Sequence, residues 1–295
     1  MIGAVLSFGH KVHLTTLTAG ERSRATEVGF SYYCAGEQGV IEALDEIRSR
    51  ISGRAVQASH FTYYGRIYEW LDRHGQLINP GPIKRIVRDH ILSTNAIGQG
   101  ERLLGEVVSE RRMHSLGSLS ETTGIPRRRL SRLFQKLGLV PQGMSDAESG
   151  LLLFPVAKAE ELCRDFETAI ALEGMADYIG ASARQAQALY LGGIIAPLVP
   201  PTGPGSVRNI LFSLAGLDAF LMRLEQIPLI ESSFENASVS LAVACQRVGV
   251  MSVDLVKAIL ENEVPAWRCA DKSGLRALRV RLDDVRSLRL RIHSA

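Results

Sequence analysis

Apolar residues recur at helical spacing along most of this chain. Val40, Ile41, Leu44 and Ile47 fall on one face of 38–51, and Tyr64, Ile67, Tyr68 and Leu71 on one face of 63–74. Leu130, Leu133, Phe134 and Leu137 follow the same rule after Pro126, a residue suited to a first helical turn, and Gly138 is placed to end that helix. Thr18 is a natural cap for a helix reaching about Val28. Ile83 to Leu92 interleaves basic with apolar residues, and Pro80, Gly81 and Pro82 break the chain before it. With Ser118 to Thr123 supplying a short helix around Leu119, the stretch 118–138 reads helix, tight glycine turn, helix.

That pattern recurs. Gly124 with Pro126 is matched 56 positions later by Gly180 with Ser182, and again by Gly249 with Ser252. The expected inward residues are Leu130, Ala186 and Val256, then Leu133, Leu189 and Ile259, then Phe134, Tyr190 and Leu260. Each pair of helices leads to a short apolar run and a further helix: 152–154 before a helix to about Thr168, 210–212 before 218–224, and 277–280 before 283–290. Ile194 to Val199 is strand-like, and PPTGPG at 200–205 and DKSG at 271–274 are turn chemistry. Helix, turn, helix, hairpin, helix resembles the winged-helix plan of excisionase-like and MerR-like modules. The expectation is a mainly α protein with small β-hairpin wings. A helical N-terminal region spans 1–114, a first helix-turn-helix unit with a helical extension 115–170, and winged-helix-like units 171–230 and 231–295.

At 295 residues with net charge +3, overall charge does not announce a nucleic-acid binder, so its distribution must decide. Between Pro126 and Lys136 there are five cations and no acid. A helical wheel puts Arg128, Arg132 and Gln135 opposite the apolar stripe, Arg129 and Lys136 on a flank, and Arg127 at the start. A solvated face and a face that meets double-stranded DNA are both compatible with this; the missing acids favour DNA. The second unit offers Arg184 and Gln187, an auxiliary surface. The third offers Asp254, Lys257 and Glu261, which suits packing or protein contact. Arg111 and Arg112, just ahead of the first unit, are placed to touch phosphates.

Other chemistry is thin. Cys34, Cys163, Cys245 and Cys269 are far apart with no C-x-x-C pair, which suits a reducing cytosol. His10 and His13 are the only close histidine pair, and no phosphate-loop, dinucleotide, zinc-protease or serine-hydrolase motif occurs. No catalytic residue, cofactor or metal ligand is expected, nor a membrane span, and a cytoplasmic location follows. Phe61, Tyr63, Tyr64, Tyr68 and Trp70 lie near Arg66, Arg73, Lys84, Arg85 and Arg88. They read first as helix packing and second as a base-stacking surface.

GRIYEWLDRHG at 65–75, IVRDHILSTNAIGQGERLLG at 86–105 and RRMHSLGSLSETTGIPRRRLSRLFQKLGLV at 111–140 resemble, in that order, the C-terminal region of TniQ-family proteins. MADYIGASARQAQALYLGGII and LAGLDAFLMRL are similar to that region's later helix-turn-helix units. The resemblance implies a non-enzymatic DNA-transposition accessory protein that selects target sites beside a transposase and an AAA+ ATPase. The family's usual opening segment of Cys and His zinc ligands has no counterpart here. Two other readings stay open: a protein-interaction adaptor or truncated remnant without strong DNA binding, and a sequence-specific transcription regulator.

Overall fold

A capping box at Thr18 opens the longest helix of the N-terminal region: its hydroxyl accepts from the Glu21 amide at 3.3 Å while its own amide donates to the Glu21 carboxylate at 2.8 Å. The computed structural model describes residues 1–50, 60–74, 79–199, 210–231 and 237–294. It is mainly helical, with small antiparallel strand pairs. The chain divides into two compact units, Met1–Ser131 with Val140–Glu160, and Arg132–Leu139 with Glu161–Ala295.

The first unit begins with α1 (Ile2–Phe8), α2 (Ala19–Cys34), α3 (Gly36–Ser49), α4 (His60–His74) and α5 (Ile83–Thr94). Val40, Leu44 and Ile47 of α3 are buried with Tyr64, Ile67, Tyr68 and Leu71 of α4 and Val87 and Ile91 of α5, in one apolar core. The packing expectation for α4 therefore holds for those four residues. His90 is buried within this bundle, its Nδ1 at 2.7 Å from the Tyr64 hydroxyl and its Nε2 at 2.8 Å from Asp45. A short hairpin follows, β1 (Arg102–Leu103) and β2 (Glu106–Val107), turned by Leu104 and Gly105, both at positive φ.

From Met113 onward one arrangement occurs three times. The first copy comprises β3 (Met113–His114), α6 (Leu116–Thr123), α7 (Arg127–Lys136), α8 (Asp146–Ser149), β4 (Phe154–Pro155) and α9 (Val156–Glu167). The second has β5 (Ile170–Ala171), α10 (Leu172–Tyr178), α11 (Ala183–Leu191), β6 (Leu211–Phe212) and α12 (Leu214–Glu225). The third has β7 (Val239–Ser240), α13 (Leu241–Val248), α14 (Ser252–Leu260), β8 (Ala266–Arg268), β9 (Leu278–Val280) and α15 (Leu282–Ser294). In each, the leading strand pairs antiparallel with the strand just before the last helix: Met113 with Pro155, Ile170 with Phe212, Val239 with Val280. Among the described residues only the third has a further strand, β8, beside β9.

Two expectations need correction. Of Ile194–Val199, only Val199 bridges to Leu211, and Pro197 within that run has no N–H to extend a ladder. The 200–205 turn lies outside the described residues. The third copy is also out of register by one residue. The second helices are capped at Pro126, Ser182 and Met251, each two residues after the turn glycine. The equivalents of Leu130, Leu133 and Phe134 are therefore Leu255, Ala258 and Ile259, all buried; of the residues expected inward, Val256 and Ile259 are buried and Leu260 is half-buried.

Candidate nucleic-acid interface

The first turn is built locally. Gly124 ends α6 in the left-handed conformation, φ 74°, its amide donating to the Ser120 carbonyl at 2.9 Å. The Ser120 hydroxyl crosses the turn to the Ile125 carbonyl at 2.7 Å, and Ile125 is buried. The Ser115 hydroxyl caps α6, accepting from Ser118. These contacts aim α7, whose Leu130, Leu133 and Phe134 are fully buried. At its start Arg127, Arg128 and Arg129 are exposed, and no acidic residue occupies the first turn.

The expected site residues fall into distinct environments. Arg128 makes no hydrogen bond or ion pair among the described residues. Arg127 is engaged: its guanidinium donates to the Asp146 carbonyl at 2.5 Å and lies where a Cβ on Gly150 would sit. It pins the 141–153 segment, which takes the place of a wing hairpin in this copy. Arg132 and Gln135 are half-buried. Lys136, expected on a flank with Arg129, is buried at 9% exposure, whereas Arg129 at nearly the same angle is exposed. Ahead of the helix, Arg111 is half-buried and donates to the Ala96 carbonyl at 3.3 Å. Arg112 is exposed and ion-paired with Asp89 at 2.9 Å.

His114, just after Arg112, is buried in β3, its Nδ1 3.0 Å from the Ser118 hydroxyl and its Nε2 3.1 Å from Glu160. Glu160 and Asp89 therefore hold a histidine and an arginine in place. Nothing in the local pattern marks these partners, since they come from other helices.

The second copy presents Arg184 and Gln187 exposed on α11, without a hydrogen bond or ion pair among the described residues. Its turn is covered, however. The Leu275 amide donates to the Ile179 carbonyl and the Arg276 amide to the Gly180 carbonyl, both at 3.0 Å. The third copy's 273–276 segment thus lies across the turn of the second, and a Cβ on Gly180 would stand 2.7 Å from the Ser273 carbonyl. In the third copy the Arg289 guanidinium reaches the Val248 carbonyl beside Gly249. Asp254 is half-buried, and Lys257 and Glu261 are exposed.

Among the described residues no group of three or more His, Cys, Asp or Glu side chains is arranged to hold a metal ion, and no helix is long and apolar enough to cross a membrane. Cys163 and Cys269 are buried and Cys34 exposed; burial raises the Cys245 thiol above its usual range. No family model, curated protein or solved structure matches this chain.

Proposed function

We propose that this protein binds duplex DNA through the start of α7 and acts without catalysis as an accessory of DNA transposition, in the manner of TniQ-like proteins. The observation that carries the reading is Arg128, an exposed cation with no hydrogen bond or ion pair among the described residues, between two further exposed arginines at the opening of the second helix of a helix-turn-helix. That position suits a phosphate or a guanine edge: the helix N-terminus and the guanidinium both attract an anion, and arginine forks onto either acceptor. Arg112, exposed but ion-paired with Asp89, is a weaker candidate for a phosphate contact. Target-site selection, a transposase and AAA+ ATPase as partners, and a cytoplasmic location rest on the TniQ resemblance alone.

A mobility shift on random duplex fragments, at several salt concentrations, tests this reading with Arg128→Ala, Arg132→Ala and the double variant. Because Arg132 is half-buried, the account expects most of the loss in Arg128→Ala. Binding by the double variant equal to that of the unmodified protein refutes the assignment.

An adaptor reading has its own support. A cleft of about 580 Å³ among α1, α2 and α4 is bordered by Phe30 and Tyr33, two large, exposed apolar side chains. Co-purification with a recombination protein, without DNA affinity at low salt, would favour it over the first.

A further inference from the structure

The first unit holds a second cleft, of about 640 Å³, which the duplex reading leaves unused. Its floor is α4, from which Phe61, Gly65, Glu69 and Asp72 line it. Gly65 breaks the helix with φ 41° and ψ −113°, and having no side chain it keeps the floor open. Lys11 and His13 stand on the wall, in the chain between α1 and α2.

Three chemistries meet here. Phe61 is the one member of the aromatic group that does not serve the core: it is 54% exposed, with its ring held 4.4 Å from that of Tyr68 at 62° and 4.7 Å from that of His60 at 34°. Lys11 is exposed and makes no hydrogen bond or ion pair among the described residues; Arg73 is exposed, with one nitrogen 3.0 Å from Glu69. Arg66 is committed within the protein, to Glu69 at 2.7 Å and to His13 Nε2 at 2.5 Å. Asp72 is exposed and accepts no hydrogen bond among the described residues.

A prefixed aromatic face, two outward cations and a carboxylate without a donor match the parts of a nucleotide. The ring stacks on a base, Lys11 and Arg73 take the phosphate, and Asp72 accepts from an exocyclic amino group. We infer that this cleft binds a nucleotide with an unpaired, amino-bearing base, either free or within a single strand. A base inside a duplex has both faces stacked and does not reach Phe61. The inference is independent of α7 and adds a site for an unpaired nucleotide to a protein proposed to bind duplex.

The test uses the full chain and a fluorescein-labelled single-stranded oligodeoxyadenylate ten nucleotides long, followed by anisotropy. Phe61→Ala is expected to weaken binding by about tenfold, the usual consequence of losing one stacking platform. Phe61→Trp is expected to retain binding, and Lys11→Ala with Arg73→Ala to reduce both affinity and its dependence on salt. Arg128→Ala is expected to leave this binding unchanged, which separates failure here from failure of the duplex reading. Competition by adenosine monophosphate marks a site for a free nucleotide; binding of the oligonucleotide without such competition marks a site for a strand, and either supports the proposal. No binding by the unmodified protein, equal binding by Phe61→Ala, or equal losses in Phe61→Ala and Phe61→Trp would overturn it.

Discussion

The turns at Gly124 and Gly180 have the same conformation and opposite surroundings. Both glycines lie at positive φ, 74° and 63°, two residues ahead of the cap of the next helix. A Cβ on Gly124 meets nothing within 4 Å, whereas one on Gly180 runs into the backbone of the 273–276 segment. A helix-turn-helix reads DNA with the start of its second helix, so what covers the turn bears on what that helix reaches. The second and third copies also share one apolar core, running from Met175 and Phe212 to Val256 and Leu288. Repetition of a helix-turn-helix outline therefore does not imply repetition of its surroundings: the first copy keeps its turn open, and the second uses its turn as a joint.

Breaking the joint is expected to have the largest effect. Gly274 is at φ 58°, and a Cβ there would press into the Ile179 carbonyl. Gly274→Ala is expected to cost about 3–5 kcal/mol in urea denaturation, combining left-handed strain with a backbone clash. Gly124→Ala, with strain alone, is expected to cost about 1–2 kcal/mol. Equal losses would mean that the two turns are equally open.

Next in size is Arg127→Ala, which removes the donor to Asp146. The expected cost is about 1 kcal/mol, since the side chain is exposed. It is read as faster protease cleavage within 143–151, with a smaller change in duplex affinity than Arg128→Ala gives. Ser182→Ala is expected to cost a similar ~1 kcal/mol of stability by removing the cap that accepts from Gln185, and to leave duplex binding intact. A reduced duplex affinity in Ser182→Ala would place DNA at α11 instead.

The smallest effect concerns Glu148, whose carboxyl is held below its usual range by the Ser145 hydroxyl and then by the Ser145 amide. A depressed carboxylate contributes stability above its unfolded pKa, and that contribution is lost as pH falls through the folded value. Cleavage near α8 is therefore expected to accelerate below about pH 4, and to do so less in Glu148→Gln.

The inward faces of α3, α4 and α7 were legible because burial there is a property of one helix: Leu44, Ile67 and Leu130 announce it by spacing alone. The third copy's register was harder to read. Ser252 looks like a preferred cap, yet Met251 occupies that position, and the constant two-residue step from the turn glycine was the better guide. The burial of Lys136 was invisible because a wheel gives direction around the helix but not what packs against it along its length: Arg129, at nearly the same angle nearer the helix start, is exposed. Arg127 likewise reaches Asp146, nineteen residues on, through a contact that no wheel encodes. The leading strands β3, β5 and β7 are two residues each, too short for any alternation to register. The 273–276 segment reaches Gly180 across more than ninety residues, and no local pattern encodes that contact.

The most direct test of the account is the slope of log affinity for duplex DNA against log salt, measured for the unmodified protein, Arg128→Ala and Arg184→Ala. Arg128→Ala is expected to weaken binding and to reduce the slope by about one, the share of a single phosphate contact, while Arg184→Ala changes the slope by much less. An unchanged slope in Arg128→Ala, or the larger reduction in Arg184→Ala, would contradict it.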